Sequence, residues 1–229
     1  MNAMQETAPS GKVALVIMAK MPAPGQVKTR LIPALGAEGA AVLAHQLLAH
    51  TLCTVAQTTT FARIELCMAP SMDDTMLQRL EFEPEMQTKL TVTAQGDGDL
   101  GARMQRVFER LQQSHEAVMM IGTDAPDITA SLLDQAAKDI SRYDAIFIPA
   151  CDGGYTLIGL NQTFTPPVSV LFTDMPWSTP AVMPTTRERL RNLNAQWHEY
   201  APMTDIDEPE DLDRLPTHWP RTWVQGRAS

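Results

Sequence analysis

Short, predominantly apolar runs recur along this chain, and each closes on a polar loop: VALVIMA at residues 13–19, ARIELCMA at 62–69, AVMMIG at 117–122 and DAIFIPA at 144–150. A strand with one wet face alternates apolar and polar residues, whereas one covered on both faces reads as a continuous run. Residues 90–94 read as a further strand. Helical patterns fall between these runs. One spans 36–54, a short one spans 73–80, and one follows the loop opening at 95 and reaches about 113. Another covers 129–141, with Thr129 as its N-cap. Strand and helix alternate through the first 150 residues. That order calls for an α/β fold with a mostly parallel central sheet and helices on both faces. The remainder reads as strand-poor: a helix over 179–191, a late strand over 196–201 and a short helix opened by DIDEPEDL. We expect a single domain across 1–229, with a flexible N-terminus over 1–12 and a C-terminal tail, 216–229, that can wrap it.

The formal net charge is −9, from 18 basic and 27 acidic residues. A nucleic-acid binder carries a basic excess or stripe, and neither is present, so no nucleic-acid partner is expected. The three cysteines, Cys53, Cys67 and Cys151, show no CxxC spacing, which argues against a zinc site or a disulfide framework. No apolar run approaches the roughly 20 residues of a membrane span, and the opening MNAMQETAPSGK carries no apolar signal core. A cytoplasmic setting without a membrane partner is the expectation, and a homo-oligomer stays open.

In an open α/β sheet, ligands bind beyond the carboxyl ends of the strands, and three loops at such ends are unusual here. The first, AKMPAPGQVKTRLIP at 19–33, places Lys20, Lys28 and Arg30 within eleven positions of an acidic chain. Pro22 and Pro24 stiffen it, and Gly25 permits a tight turn. Arg offers phosphate a bidentate fork and Lys a point charge. A solvated basic turn is the plainer reading, and the stretch is neither a GxxxxGK[ST] loop nor a GxGxxG fingerprint. The second loop is IGTDAPDI at 121–128, where Asp124 can ligate Mg²⁺ or Mn²⁺ or simply make a turn before Pro126. The third is DIDEPEDL at 205–212. Asp205 and Asp207 share a face if extended, so either could complete a metal site with Asp124. Against that, Asp207 and Glu210 have capping-box spacing.

Two glycine-bearing stretches add to these. GDGDLGARM brings Gly96 and backbone N–H groups near a ligand, with Arg103 beside them. CDGGYTLIGL sets Asp152 against Gly153 and Gly154, and Tyr155 can stack on a sugar or base or serve the core. His45 and His50, five apart, do not share a helix face and form no metal pair. No GxSxG motif or Cys–His grouping supplies a nucleophile.

AKMPAPGQVKTRLIPALG, QGDGDLGARM, IGTDAPDI, PACDGGYTLIGL, LFTDMPWST and DIDEPEDL occur in this order across residues 13–213. Together they resemble a bacterial family of glycosyltransferase-like proteins, the radical-SAM/selenodomain-associated transferases, linked by gene context to arsenosugar biosynthesis. That resemblance implies the nucleotide-diphospho-sugar transferase superfamily and a GT-A type fold. The opening loop is also similar to those of phospholactate and molybdenum-cofactor guanylyltransferases. By position, the resemblance implies phosphate binding by Lys20, Lys28 and Arg30, aided by Ala19, Gly25, Gly96 and Arg103. It implies a metal held by Asp124 and Asp207; on a glycosyl-transfer reading the acceptor is expected near Asp152, Gly153, Gly154, Tyr155 and Trp177. The chain departs from the pattern at Glu208, where relatives often carry Thr, at His50, where many carry an acid, and at Thr123 and Ala125, where Ser and Cys are common.

The expected partners are therefore a nucleotide or nucleotide sugar and a small-molecule acceptor, with Mg²⁺ or Mn²⁺ as cofactor. Asp124, Lys28 and Arg30 are the expected catalytic residues. Two reactions fit: glycosyl transfer from a nucleotide sugar, and nucleotidyl transfer from an NTP to a phosphorylated molecule with release of pyrophosphate. A non-catalytic nucleotide-binding module is the third possibility.

Overall fold

The structure, a computed structural model, describes residues 12–70, 90–219 and 221. The helix expected over 73–80, residues 1–11 of the terminus expected to be flexible, and most of the tail beyond 219 lie outside the described residues. Among the described residues, seven strands form one sheet in the order β3-β2-β1-β4-β6-β5-β7. They are β1 (Val13–Lys20), β2 (Arg63–Ala69), β3 (Leu90–Ala94), β4 (Ala117–Ile121), β5 (Ala145–Pro149), β6 (Tyr155–Asn161) and β7 (Trp197–Glu199). Of these described strands only β6 runs against its neighbours, β4 and β5, and the other pairings among them are parallel. The expected α/β class, with a mostly parallel central sheet, holds.

β1 shows why its sequence is continuously apolar. Val13, Leu15, Ile17 and Ala19 enter one core layer, and Ala14 and Val16 enter the other. The first layer is shared with α1 (Ile32–Ala56) and α3 (Ala130–Asp139), the second with α2 (Leu100–Leu111), α4 (Ser169–Phe172) and α5 (Val182–Asn192). Each fully buried Val, Leu, Ile or Met side chain in these layers stabilises the fold by about 1.5–3 kcal/mol. The Thr129 side chain accepts from Leu132 N, so the expected N-cap of α3 is present. α1 is interrupted at Gly36, whose φ of 72° and ψ of 168° are non-helical. The helix resumes after it, as the 36–54 reading anticipates.

Two expectations need correction. The second half is not strand-poor: CDGGYTLIGL enters β6, which fills the sheet between β4 and β5. Its Gly159 admits the close approach of Ile146, Ile140 and Met119, so a glycine that weakens a strand signal is here a packing requirement. Second, the helical stretch Thr29–Ala56 contains an 18-residue window with a mean hydropathy of 1.3 and is long and apolar enough to cross a membrane by length and composition. Interspersed Ala, Gly, Thr and His hide this from a search for unbroken apolar runs. In the fold its Leu43, Leu47, Leu48 and Leu52 are core residues.

Glu65 in β2 is fully buried. It accepts hydrogen bonds from Thr93 (2.6 Å) and Arg63 (3.2 Å) and forms a forked ion pair with Arg110 of α2. Burial alone would raise its pKa, but the Arg110 and Thr93 hydrogen bonds, with the charges of Arg110 and Arg63, hold it below the usual carboxylate range. Replacing Arg110 with Met leaves that carboxylate short of its main partner. Denaturant unfolding of Arg110→Met at neutral pH should show a loss of about 3 kcal/mol, the lower end for breaking a buried pair, because Arg63 remains.

Candidate functional site

The chain leaves β1 towards β2 and β3 on one side, whereas β4 lies on the other. The carboxyl ends of β1 and β4 therefore flank a topological switch point, where connecting loops diverge and leave a crevice. The loop after β1 carries Lys28, and the loop after β4 carries Asp124. A third segment from the end of the chain is fastened between them: Ile206 N donates to Asp124 O at 2.8 Å.

Lys28 joins all three. Its Nζ lies 2.7 Å from Asp124 Oδ1, 3.4 Å from Asp207 Oδ1, and 2.7 Å from the Ile206 carbonyl, to which it donates. The side chain is 6% exposed, whereas those of Asp124 and Asp207 are 45% and 37% exposed. Its backbone has φ 47° and ψ 42°, a left-handed conformation uncommon outside glycine, at the start of the 3-10 helix Thr29–Leu31. Arg30 reaches Asp207 Oδ2 at 3.0 Å and Glu208 Oε1 at 3.2 Å. Two acids 83 residues apart and two cations of the opening loop thus meet at one place.

The capping reading of DIDEPEDL is corrected by one residue. Glu208 is the N-cap of the 3-10 helix Pro209–Arg214, and the Asp211 carboxylate accepts from the N–H groups of Asp207 and Glu208 at 3.1 and 2.8 Å. Asp207 is thereby left to face Lys28 and Arg30. The segment is anchored by Ile206, Leu215 and Trp219, which pack with Leu31, Leu43 and Leu47 in a third core cluster. His50 makes a related link: its Nε2 donates to the Pro126 carbonyl at 2.9 Å, and its ring lies 4.9 Å from that of Trp219. His50 is thus a bracket for the Asp124 loop.

Asp205 is half-buried. Burial first, then the charges of Asp152, Asp207 and Asp124, push its carboxyl up to about 6. This perturbation also ties Asp152, from the CDGG turn, to the same electrostatic neighbourhood.

Beside this cluster lies a cleft of about 460 Å³ lined by Lys20, Gln26, Val27, Gly96, Asp97 and Arg103, among others. That volume is in the range of small-molecule pockets. Its far wall is fixed by residues that sequence reasoning missed. Gln95, buried, donates from Nε2 to the carbonyls of Ala19 (2.9 Å) and Cys67 (3.0 Å). Arg106 binds the Gln95 and Asp97 carbonyls, and Arg103 binds the Gly98 carbonyl. Arg106 follows Arg103 by three residues on one helix face, a spacing that could have drawn attention to it. A Cβ on Gly96 would fall 2.7 Å from the Arg106 guanidinium. Ala19 does not line the cleft: it is buried, and Gln95 uses its carbonyl. Gly25, at φ 76°, shapes the turn closed by Gln26 N donating to Ala23 O.

The expected acceptor residues divide. Asp152 Oδ1 accepts from Gly154 N at 2.9 Å in a turn, and Gly153, at φ 97°, lies so close to Pro180 that a Cβ would meet its carbonyl oxygen at 2.4 Å. These stay near Asp205. Tyr155 and Trp177 instead pack edge to face at 6.5 Å against the second core layer, with Phe147 and Phe172. Burial pushes the Tyr155 phenol strongly up. Both aromatics are partly buried and pack against this core layer.

A family profile described as "Uncharacterized protein conserved in bacteria (DUF2064)" matches residues 51–179, more than half of the chain. The chain belongs to the DUF2064 family. Among solved structures, a candidate nucleotide-diphospho-sugar transferase from Desulfovibrio desulfuricans G20 is 26% identical, with a TM-score of 0.79 over 94% of this chain and 93% of that one. A 4-diphosphocytidyl-2C-methyl-D-erythritol synthase from Anaerococcus prevotii (11% identity, TM-score 0.58, 90% and 95% covered) shares the fold. So does Rv0371c from Mycobacterium tuberculosis H37Rv in complex with manganese (14%, 0.51, 90% and 97%). No curated protein sequence matches the chain. The radical-SAM and arsenosugar association rests on the sequence resemblance alone.

Among the described residues of this DUF2064 chain, no group of three or more His, Cys, Asp or Glu side chains is placed to hold a metal ion. Mg²⁺ sites of nucleotide enzymes commonly take only one or two carboxylates and draw their other ligands from phosphate and water. Asp124 and Asp207 fit that pattern, since both present partly exposed oxygens towards one point.

Because Asp205 holds its proton to about 6 when folded but to only about 4 when unfolded, the folded state binds more protons between those values. Stability therefore falls as pH rises from about 4 through about 6, and the penalty is complete above that window. Asp205→Asn should raise Tm in EDTA at about pH 7.5 and change it far less near about pH 4. An equal change at both pH values would contradict the burial and charge argument.

Proposed function

We propose that the protein is a metal-dependent glycosyltransferase-like enzyme that moves a sugar from a nucleotide sugar to a small acceptor. The observation that carries this reading is the convergence of Lys28, Asp124 and Asp207 at the switch point, beside a cleft with Lys20 and Arg103 on its walls. The resemblance over nearly the whole chain to the Desulfovibrio protein supports it, and the manganese complex of a protein with the same fold supports the choice of cofactor.

A divalent ion held by Asp124 and Asp207 would neutralise charge on the leaving diphosphate. Lys28 and Arg30 carry cationic groups to the same place, so negative charge developing on that diphosphate meets fixed positive charge. Lys20, Gly96 and Arg103 fit the nucleotide side, and the Asp152–Gly154 turn fits the acceptor side, next to Asp205. No covalent protein nucleophile is required, because positioning and electrostatics supply the rate.

Nucleotidyl transfer is the second reading. The number of cations favours it, since a triphosphate carries more negative charge than a nucleotide sugar. The products separate the two. With nucleotide sugars and Mn²⁺, release of a nucleoside diphosphate is expected, whereas pyrophosphate released from an NTP would replace the glycosyl reading.

Nucleotides and nucleotide sugars screened by thermal shift with and without Mn²⁺ should give a metal-dependent rise in Tm for one base. Asp124→Asn should lose that rise, keep its fold and lower turnover roughly 100-fold. A variant that kept its biological role without metal binding would favour the non-catalytic module.

A further inference from the structure

The geometry around Lys28 bears on how ligands enter the site. It rests on the nucleotide-transferase reading just given. All three donors of the ammonium have partners: Asp124, Asp207 and the Ile206 carbonyl. The ammonium therefore occupies the point on which both carboxylates converge. A divalent ion drawing on the same two acids would meet a cation already seated between them.

We propose that Lys28 is the resident cation of this two-carboxylate site, and that a polyphosphate must draw it away before the acids can hold a divalent metal. Metal and polyphosphate then enter together, and neither binds tightly alone.

Charge balance gives the same direction. Asp124, Asp152, Asp205 and Asp207 surround the site, with Lys28 and Arg30 against them. A polyphosphate without metal adds negative charge to a cluster of acids. A metal without polyphosphate adds positive charge against the ammonium of a side chain that is 6% exposed. Together they exchange partners: the acids pass from ammonium to metal, and the ammonium passes from acids to phosphate. The stem allows this exchange. Lys28 follows Val27, which lines the cleft, and its four-carbon chain ends in a freely turning donor group. Its left-handed backbone is the kind of sparsely populated conformation that persists where surrounding contacts impose it.

The test uses metal-stripped full-length protein and Mn²⁺ alone, read by electron paramagnetic resonance. Lys28→Met and Lys28→Gln should bind Mn²⁺ about tenfold more tightly than the wild type, a common size for coupling between sites. Lys28→Arg should show no gain, and Asp124→Asn in the Lys28→Met background should abolish it. Removing a cation that merely supports the fold would not tighten a metal site, so equal or weaker Mn²⁺ binding in both neutral variants overturns the proposal. If neither neutral variant folds by circular dichroism, the wild type decides. Water-proton relaxation should report tighter Mn²⁺ binding with GDP or UDP than without, and equal affinity overturns the proposal. The two readings fail differently. If no nucleotide or nucleotide sugar binds, the transferase reading falls, and the Mn²⁺-only comparison still judges Lys28. If nucleotides bind but Mn²⁺ affinity ignores Lys28, only this inference falls.

Discussion

One ammonium group ties together the loops that follow β1 and β4 and a segment from the end of the chain. Lys28 contacts an acid from the middle of the chain, and a carbonyl and an acid from its last quarter. Burying an ammonium is costly unless its hydrogens find acceptors, and here they find three. The arrangement thus depends on the loop after β1, the loop after β4 and the 205–208 segment arriving in register. Each arrival has its own support. Ile206 N bonds to the Asp124 carbonyl, His50 to the Pro126 carbonyl, and Ile206, Leu215 and Trp219 pack onto α1.

The sheet explains why these segments meet at all. A parallel strand order that reverses direction beside β1 opens a crevice at one edge of the carboxyl ends. The cleft on the β1–β2–β3 side is then shaped by polar groups turned inward. Gln95 ties β1 to β2, and Arg106 holds the 95–97 backbone in place. Glu65 plays a comparable part deeper in β2, where Arg110 fastens α2 to the sheet. These buried polar links fix relative positions that apolar packing alone leaves free to slide.

Much of this was legible in the residues. The continuous apolar runs announced β1, β2, β4 and β5, and the loops that follow them held the cations and acids that converge. The misses have physical causes. β6 was overlooked because its Gly-Gly entry reads as a turn and its glycine lowers strand propensity, although Gly159 is what lets Ile146 and Met119 pack. The cap of the last helix shifted by one residue because Asp211, rather than Glu210, bonds the N–H groups ahead of it. Tyr155 and Trp177 stay partly exposed, and the neighbours that orient them, Phe147 and Phe172, lie too far along the chain for spacing to reveal.

By itself the sequence determined the layer architecture, because burial on both faces of a strand demands unbroken apolar residues and that demand is local. It also determined which loops carry charge. Tertiary structure alone decided which charges become partners. The pairing of Lys28 with Asp207 spans 179 residues and follows from strand order, loop path and the packing of Trp219 on α1. No periodicity or spacing encodes such a distance. It emerges only when the sheet has set the ends of its strands side by side.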